Sequence, residues 1–236
     1  TTADELKTIF IGNGSVDTNI SVGGTVNLGN VQGLAKNRSD INDNVMWLFD
    51  AGHDAIFQMN TNGNTTTTLI NISNISTTCA GLDTINGSDF WVGCDDAIFG
   101  DFMLRVNRSI PAEMERVFLK GAFGISDDII DIQIINQTNV SNTGGVTGFI
   151  VGLGNAQTMR FYDRLGNLLR SVVWTGFAGT DVNPIHKQFR ENITIFDATG
   201  GRAVYFVNDT TPPVVTAFSI NDTKIEVGES LDLNFT

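Results

Sequence analysis

Two histidines, two cysteines and four prolines are all that 236 residues hold of these types. Cations are short too: 14 Lys and Arg stand against 26 Asp and Glu, a net charge of −12. Each shortage excludes something. His53 and His186 sit in neither a His-x-x-x-His nor a His-rich spacing, so a histidine metal centre has no ligands. There is no Gly-x-Ser-x-Gly elbow. Gly152-Leu153-Gly154 lacks the third glycine of a dinucleotide fingerprint and runs into a strand pattern. The many acids can always furnish a carboxylate pair, so such a pair identifies no glycosidase. The reading is therefore not an enzyme. So few cations cannot neutralise phosphates, which argues against nucleic acid and anionic membrane as partners. No apolar run approaches the 18 residues of a helical span, so no membrane span is expected in this segment. Nor is there an N-terminal apolar helix through which pilin-like subunits could stack. The start, Thr1-Thr2-Ala3-Asp4, reads as a chain numbered after removal of a signal peptide.

Asparagine followed by Ser or Thr two residues on is abundant instead. Fourteen such sequons begin at Asn13, Asn19, Asn37, Asn64, Asn71, Asn74, Asn86, Asn107, Asn136, Asn139, Asn192, Asn208, Asn221 and Asn234. None has Pro in the middle. With 24 Asn and 38 Ser plus Thr in the chain, chance supplies about four. Eight of the 12 serines occupy the third position of a sequon. A high asparagine content explains the first residue but not the third. The excess points to covalent N-glycans and an extracellular or cell-surface location.

In that compartment Cys79 and Cys94 read as one disulfide. The bridge is expected to pin an excursion from the sheet that carries Asn86.

Short β-type runs separated by Gly, Asn and Asp fill the chain. They include Val45–Phe49, Ala55–Met59, Thr66–Ile72, Phe102–Val106, Ile129–Ile135, Met159–Tyr162, Leu168–Trp174 and Ile193–Phe196. Ile130 to Ile134 alternates apolar and polar, which predicts one solvated face. Val204 to Val207 is apolar throughout and is expected deep in a sheet. Pro111–Arg116 and Ile185–Arg190 are expected to make short helical turns. Phe49-Asp50, Tyr162-Asp163 and Phe196-Asp197 each precede a glycine by two to four residues. Asp can cap such a turn while Gly supplies positive φ, so three hairpins are expected. Their spacing is too uneven to define a repeat.

Composition changes at Asn208-Asp209-Thr210-Thr211-Pro212-Pro213. Two consecutive prolines cannot both continue a β ladder. Beyond them Ile225, Val227, Leu231, Leu233 and Phe235 alternate with polar residues. Residues 209–236 resemble the junction into immunoglobulin-like repeats of archaeal and bacterial surface glycoproteins, where such a linker leads into the first strands. The resemblance implies modular construction and a cell-surface location. This stripe is completed either by another chain, as an assembly contact, or by a further domain.

Asp40-Ile41-Asn42-Asp43-Asn44 gathers hard oxygen ligands and is similar to the calcium linker of cadherins. A Ca2+ site at Asp40, Asn42 and Asp43 is set beside a plain solvated loop, and no other cofactor is expected. Asp95-Asp96 and Asp127, Asp128 and Asp131 are further oxygen donors. Aromatics are mostly Phe, 16 against three Trp and two Tyr, which favours core over a sugar-binding platform. Trp47, Trp91 and Trp174 are expected inside.

The fold expected is all-β, an antiparallel β-sandwich of jelly-roll or Ig-like type with short helical turns. It spans residues 1–208, followed by a linker and strands of a second β unit over 209–236. The function expected is a glycosylated, self-assembling subunit of an extracellular filament or S-layer, plausibly archaeal, with copies of itself as partners. The alternative is a cell-surface adhesion or glycan-binding module.

Overall fold

The computed structural model describes side chains for residues 28–37, 44–60, 69–75, 78–96, 98, 100–110, 115–121, 128–135, 145–154 and 158–173; other strands are described as backbone. Twenty strands are formed, and no helix occurs among the described residues. After a hairpin of β1 (Glu5–Ile9) and β2 (Val16–Ser21) comes the short β3 (Gly23–Gly24). The first large sheet is β4 (Val31–Lys36), β5 (Val45–Asp50), β6 (Ala55–Asn60) and β7 (Asn64–Asn71), with β3 added parallel to β7. The second is β8 (Cys79–Thr84), β9 (Asp89–Cys94), β10 (Phe102–Asn107) and β11 (Met114–Phe118). The third is β12 (Ile129–Asn136), β13 (Val146–Leu153), β14 (Thr158–Asp163) and β15 (Leu168–Val173). A three-stranded sheet follows: β16 (Val182–Gln188), β17 (Asn192–Asp197) and β18 (Arg202–Phe206). Last, β19 (Phe218–Ile220) pairs with β20 (Leu233–Phe235).

The large sheets are antiparallel meanders in chain order. Their first strands begin at residues 31, 79, 129 and 182, spacings of 48, 50 and 53. A repeat therefore exists where the three Asp-containing turns indicated none. Those turns do join paired strands, but at different places. Phe49-Asp50 and Phe196-Asp197 end second strands, whereas Tyr162-Asp163 ends a third.

Each first strand carries a register shift near its start, between Val31 and Gly33, Ala80 and Asp83, Ile129 and Asp131, and Val182 and Ile185. Such bulges bend a strand and re-aim its side chains. Here they bring successive first strands together. An added Cβ at Gly33 would lie 2.7 Å from Leu82, and one at Gly81 2.6 Å from the Ile132 nitrogen. Asp83 Oδ2 accepts the Ile134 N–H at 2.7 Å and a bond from the Gln133 side-chain amide. From Gly81 to Asp83, contacts advance from Ile132 to Ile134, so β8 and β12 run the same way.

Two apolar layers fill the gaps. Trp47, Phe49 and Ile56 of the first sheet pack on Phe90, Val92, Phe102 and Leu104 of the second. From its other face, Trp91 and Met103 pack on Ile132, Phe149, Val151 and Tyr162 of the third. The middle sheet is buried on both faces, which explains its nearly continuous apolar strands. The burial of Trp47 and Trp91 follows the expectation; Trp174 lies outside the described residues.

The all-β, antiparallel expectation holds. The two-sheet sandwich finds no support in the sheet order, because sheets stack in succession instead of closing as a pair. The short helical turns are corrected over residues 114–116 and 185–188; the rest of both lies outside the described residues. Met114–Phe118 pairs with β10 and Val182–Gln188 with β17, since ladder hydrogen bonds outweigh a single helical turn. The solvated face of Ile130 to Ile134 is corrected too: Asp131 and Gln133 are 7% and 5% exposed, turned to the neighbouring first strand. The side chains of Val204 to Val207 lie outside the described residues.

Candidate functional site: sugar acceptors and a carboxylate pair

Three of the acceptor asparagines sit at strand ends or in the turn between strands. Asn71 ends β7, Asn107 ends β10, and Asn86 lies in the tight β8–β9 turn. All three use one local device. Asn71 Oδ1 accepts the Ser73 N–H at 2.9 Å, Asn86 Oδ1 the Ser88 N–H at 3.0 Å, and Asn107 Oδ1 the Ser109 N–H at 2.8 Å. A side-chain amide bonding the backbone two residues on is the Asx-turn. Because the amide is planar, holding Oδ1 against the backbone turns Nδ2, the atom that carries an N-linked sugar, to the opposite side. The third sequon residue supplies the donor N–H, and Ser73 also gives its hydroxyl to Asn71 at 2.7 Å.

The turns at Asn86 and Asn107 are neighbours. Arg108 N–H bonds Ser88 O at 2.8 Å, and Asn107 Nδ2 donates to Asp89 Oδ1 at 2.8 Å. A monosubstituted amide keeps one N–H, so that contact is compatible with a sugar on the same nitrogen. Asn74 is exposed beside Asn71, and Asn37 is half-buried just after β4. Asn19, Asn64, Asn136, Asn192 and Asn234 fall on strand backbones. Asn13, Asn139, Asn208 and Asn221 lie outside the described residues.

Cys79 and Cys94 are disulfide-bonded. They face each other across the β8–β9 ladder, and both are buried. The bridge therefore staples a hairpin of the middle sheet; the excursion expected from sequence is the hairpin turn itself, with Asn86 at its tip.

The opposite end of that sheet gathers acids. Asp95 and Asp101 flank the base of the β9–β10 connection, just past the Cys94–Phe102 pair. Asp128, before β12, and Arg160, in β14, lie close enough to act on them electrostatically. Asp95 Oδ1 accepts the Ile129 N–H at 3.3 Å and shares a side-chain hydrogen bond with Asp101. Burial pushes the Asp95 carboxyl up, the Ile129 N–H opposes, and the charges of Asp101 and Asp128 raise it further, to about 7. Asp101 is raised as well, first by burial. A carboxyl that binds protons more tightly when folded stabilises the fold below its folded pKa and loses that contribution as pH rises. Stability should thus fall between about pH 4 and pH 7 on account of this pair. Asp95→Asn is expected to stabilise the protein at pH 8, by on the order of 1–3 kcal/mol, and to flatten that part of the pH profile. Urea unfolding at pH 5 and pH 8 checks both.

The sequence had marked Asp95, Asp96, Asp127, Asp128 and Asp131 as oxygen donors. The structure brings Asp95 and Asp128 near each other, adds Asp101, and leaves Asp131 bonding the adjacent Ile132 N–H at 2.8 Å. Asp127 is outside the described residues, as are Asp40, Asn42 and Asp43. Among the described residues no group of three or more His, Cys, Asp or Glu is arranged to hold a metal.

His53 is half-exposed in the β5–β6 turn, with Nδ1 2.7 Å from Asp50 Oδ2. His186 lies on the β16 backbone. Of the proposed assembly stripe, Leu233 and Phe235 lie in β20, where Leu233 pairs with Ile220 and Phe235 with Phe218. Ile225, Val227 and Leu231 are outside the described residues.

No family model matches the chain, and no curated protein matches it. Among solved structures it is similar to the WD40 β-propeller domain of Doa1, with 12% identity over 82% of this chain and 55% of that one, TM-score 0.48. It is also similar to the β-propeller domain of Cps50 (Swd1) from Myceliophteria thermophila, with 9% identity over 97% of this chain and 64% of that one, TM-score 0.49. A chain of a nidogen/laminin complex gives 11% identity over 84% of this chain and 70% of that one, TM-score 0.47. The chain spans roughly half to two-thirds of the length of these structures.

Proposed function

We propose that this chain is a structural, heavily N-glycosylated extracellular subunit that assembles with copies of itself into a filament or surface layer. Its large sheets form an arc of a β-propeller in this reading, not a sandwich. Repeated four-stranded meanders joined through bulged first strands support that architecture, because blades of this kind stack around a common axis. The observation that carries the function is the acceptor density together with its geometry. Fourteen sequons are present, and Asn71, Asn86 and Asn107 hold their amides in the same turn.

No catalytic role is assigned: His53 serves as a turn contact to Asp50, and the side chain of His186 lies outside the described residues. The adhesion alternative loses two of its three tryptophan platforms, as Trp47 and Trp91 are each 2% exposed. Residues 209–236 are read as the second unit. A two-stranded hairpin is marginal in water, so its apolar stripe needs cover. A strand added to a neighbour's sheet supplies backbone bonds and side-chain pockets together. A head-to-tail contact of that kind propagates instead of closing.

Electron microscopy of the purified native material tests the reading. Filaments or lattices are expected. Removing residues 214–236 should leave the large sheets folded and abolish polymerisation. Monomers in the native material, or unchanged polymers after the truncation, would contradict self-assembly and the terminal contact respectively.

A further inference from the structure

In a four-stranded meander the first–second and third–fourth connections share one end; the second–third connection and the crossing to the next sheet share the other. Six described sequons fall at the first kind of end. Asn37 follows β4, Asn64 opens β7, Asn86 lies between β8 and β9, Asn107 closes β10, Asn136 closes β12 and Asn192 opens β17. Only Asn71 and Asn74 fall at the other, Asn71 closing the outer strand of the first sheet and Asn74 just past it. Loop length does not cause the difference. Connections at the sequon-poor end total 44 residues, against 37 at the sequon-rich end.

Charge divides the same way. The sequon-poor connections hold seven aspartates and one lysine; the sequon-rich ones hold four acids and four bases. Along the first strands of the first three sheets the ends correspond, because β4, β8 and β12 run side by side in one direction; at the outer strands the sheets are offset, and the Lys120 N–H after β11 bonds Gly166 O in the β14–β15 turn at 2.8 Å. Gly33 meets Leu82, and past the end of β8 Gly87 meets Trp47, opposite Ala35. On the other side, Gly81 meets Ile132 and Asp83 meets Ile134.

We propose that the N-linked sugars form a one-sided layer, covering the end of the first three sheets that carries Asn37, Asn64, Asn86, Asn107 and Asn136 and leaving the aspartate-rich end without sugar except at the edge of the first sheet, where Asn71 and Asn74 lie. The layer rests on the glycosylation reading above but adds a direction to it. A sugar on Asn86 and one on Asn107 stand on adjoining turns and shade Ile110, whose N–H bonds Asn107 Oδ1 at 3.2 Å. Ile98, 83% exposed in the β9–β10 connection, sits at the sequon-poor end of the second sheet, which has no sequon there.

Hydroxyl-radical footprinting of the full chain tests this, comparing native protein with protein made in a host that adds no N-linked sugar. Labelling at Ile110 should rise severalfold in the sugar-free form, while labelling at Ile98 stays the same. Ser88→Ala and Ser109→Ala, which abolish two sequons and keep both asparagine turns, should reproduce the rise at Ile110. Equal shielding of Ile98 and Ile110 in the native protein would overturn the one-sided layer while leaving glycosylation standing. Identical masses for the two preparations would overturn glycosylation itself, and the layer with it.

Discussion

Asp50→Ala should cost about 3 kcal/mol or more at pH 7, one of the two largest losses expected from a single substitution. The Asp50 side chain is fully buried and accepts four hydrogen bonds. Oδ2 takes the Gly29 N–H at 2.7 Å and His53 Nδ1 at 2.7 Å; Oδ1 takes the Asn30 N–H at 2.7 Å and the Gly52 N–H at 2.8 Å. It thereby locks the entry to β4 onto the turn after β5. Removing it takes the shared acceptor from three backbone N–H groups at a part-buried site, and a donor left unpaired costs about 1–3 kcal/mol. Burial alone would raise this carboxyl, but the N–H groups of Asn30 and Gly29, then His53 and Gly52, outweigh it and hold it below the usual value. A carboxyl depressed by folding stabilises above its unfolded pKa and stops doing so as pH falls through the folded value. The gap between wild type and Asp50→Ala should therefore be widest near neutrality and narrow below about pH 4. Urea midpoints at pH 7 and pH 3 measure it; a loss under about 1 kcal/mol at pH 7 would mean that water replaces the carboxylate without penalty. Asp50 and Asp95 act with opposite signs, so their joint contribution is greatest near about pH 4 and declines from there to about pH 7.

Gly81→Ala should be about as damaging, for a geometric reason. Gly81 has φ +70°, which a side chain tolerates only with strain, and its added Cβ would lie 2.6 Å from the Ile132 nitrogen and 2.9 Å from Asp131 Cα. Neither backbone atom can move without shifting β12 away from β8. Gly100→Ala separates the two penalties: its φ is +83°, yet nothing lies within 4 Å of the added carbon. The conformational term alone should cost Gly100→Ala about 1–2 kcal/mol. Gly81→Ala should cost about 3–5 kcal/mol, the excess reporting contact between first strands. Equal losses for the two variants would mean that β8 and β12 do not touch there.

The same crowded contact marks where sequence reading failed. The inner second and third strands were legible because they are short, apolar and bounded by turn residues, as in Val45–Phe49 and Phe102–Val106. Of the first strands only β12, expected over Ile129–Ile135, was legible. β4 reads Val-Gln-Gly-Leu-Ala-Lys, β8 Cys-Ala-Gly-Leu-Asp-Thr and β16 Val-Asn-Pro-Ile-His-Lys-Gln, each with a breaker near its bulge. Glycine and proline in a run count against a strand, yet in β4 and β8 close approach of a neighbouring backbone selects for glycine. The repeat was hidden for a related cause, since the similar Asp turns belong to different strand pairs. Asp50 was legible as a turn cap, and Gly166, at φ +78°, as the residue with positive φ in the β14–β15 turn. In the β5–β6 turn the positive φ falls on Asp54 instead, while Gly52 admits the backbone of Gly29. The Asp95–Asp101 pair could not be foreseen, because no sequence spacing reveals which carboxyls a hairpin base and a neighbouring sheet will bury together. The acceptor asparagines needed no fold to be found, but their division between two ends appears only when the meanders are laid out.

Glycopeptide mass spectrometry of protein from its native source bears most directly on the central claim. Most of the fourteen sequons should carry sugar, Asn37, Asn86 and Asn107 among them. Occupancy at fewer than about four sites, the number that composition alone supplies, would contradict the account.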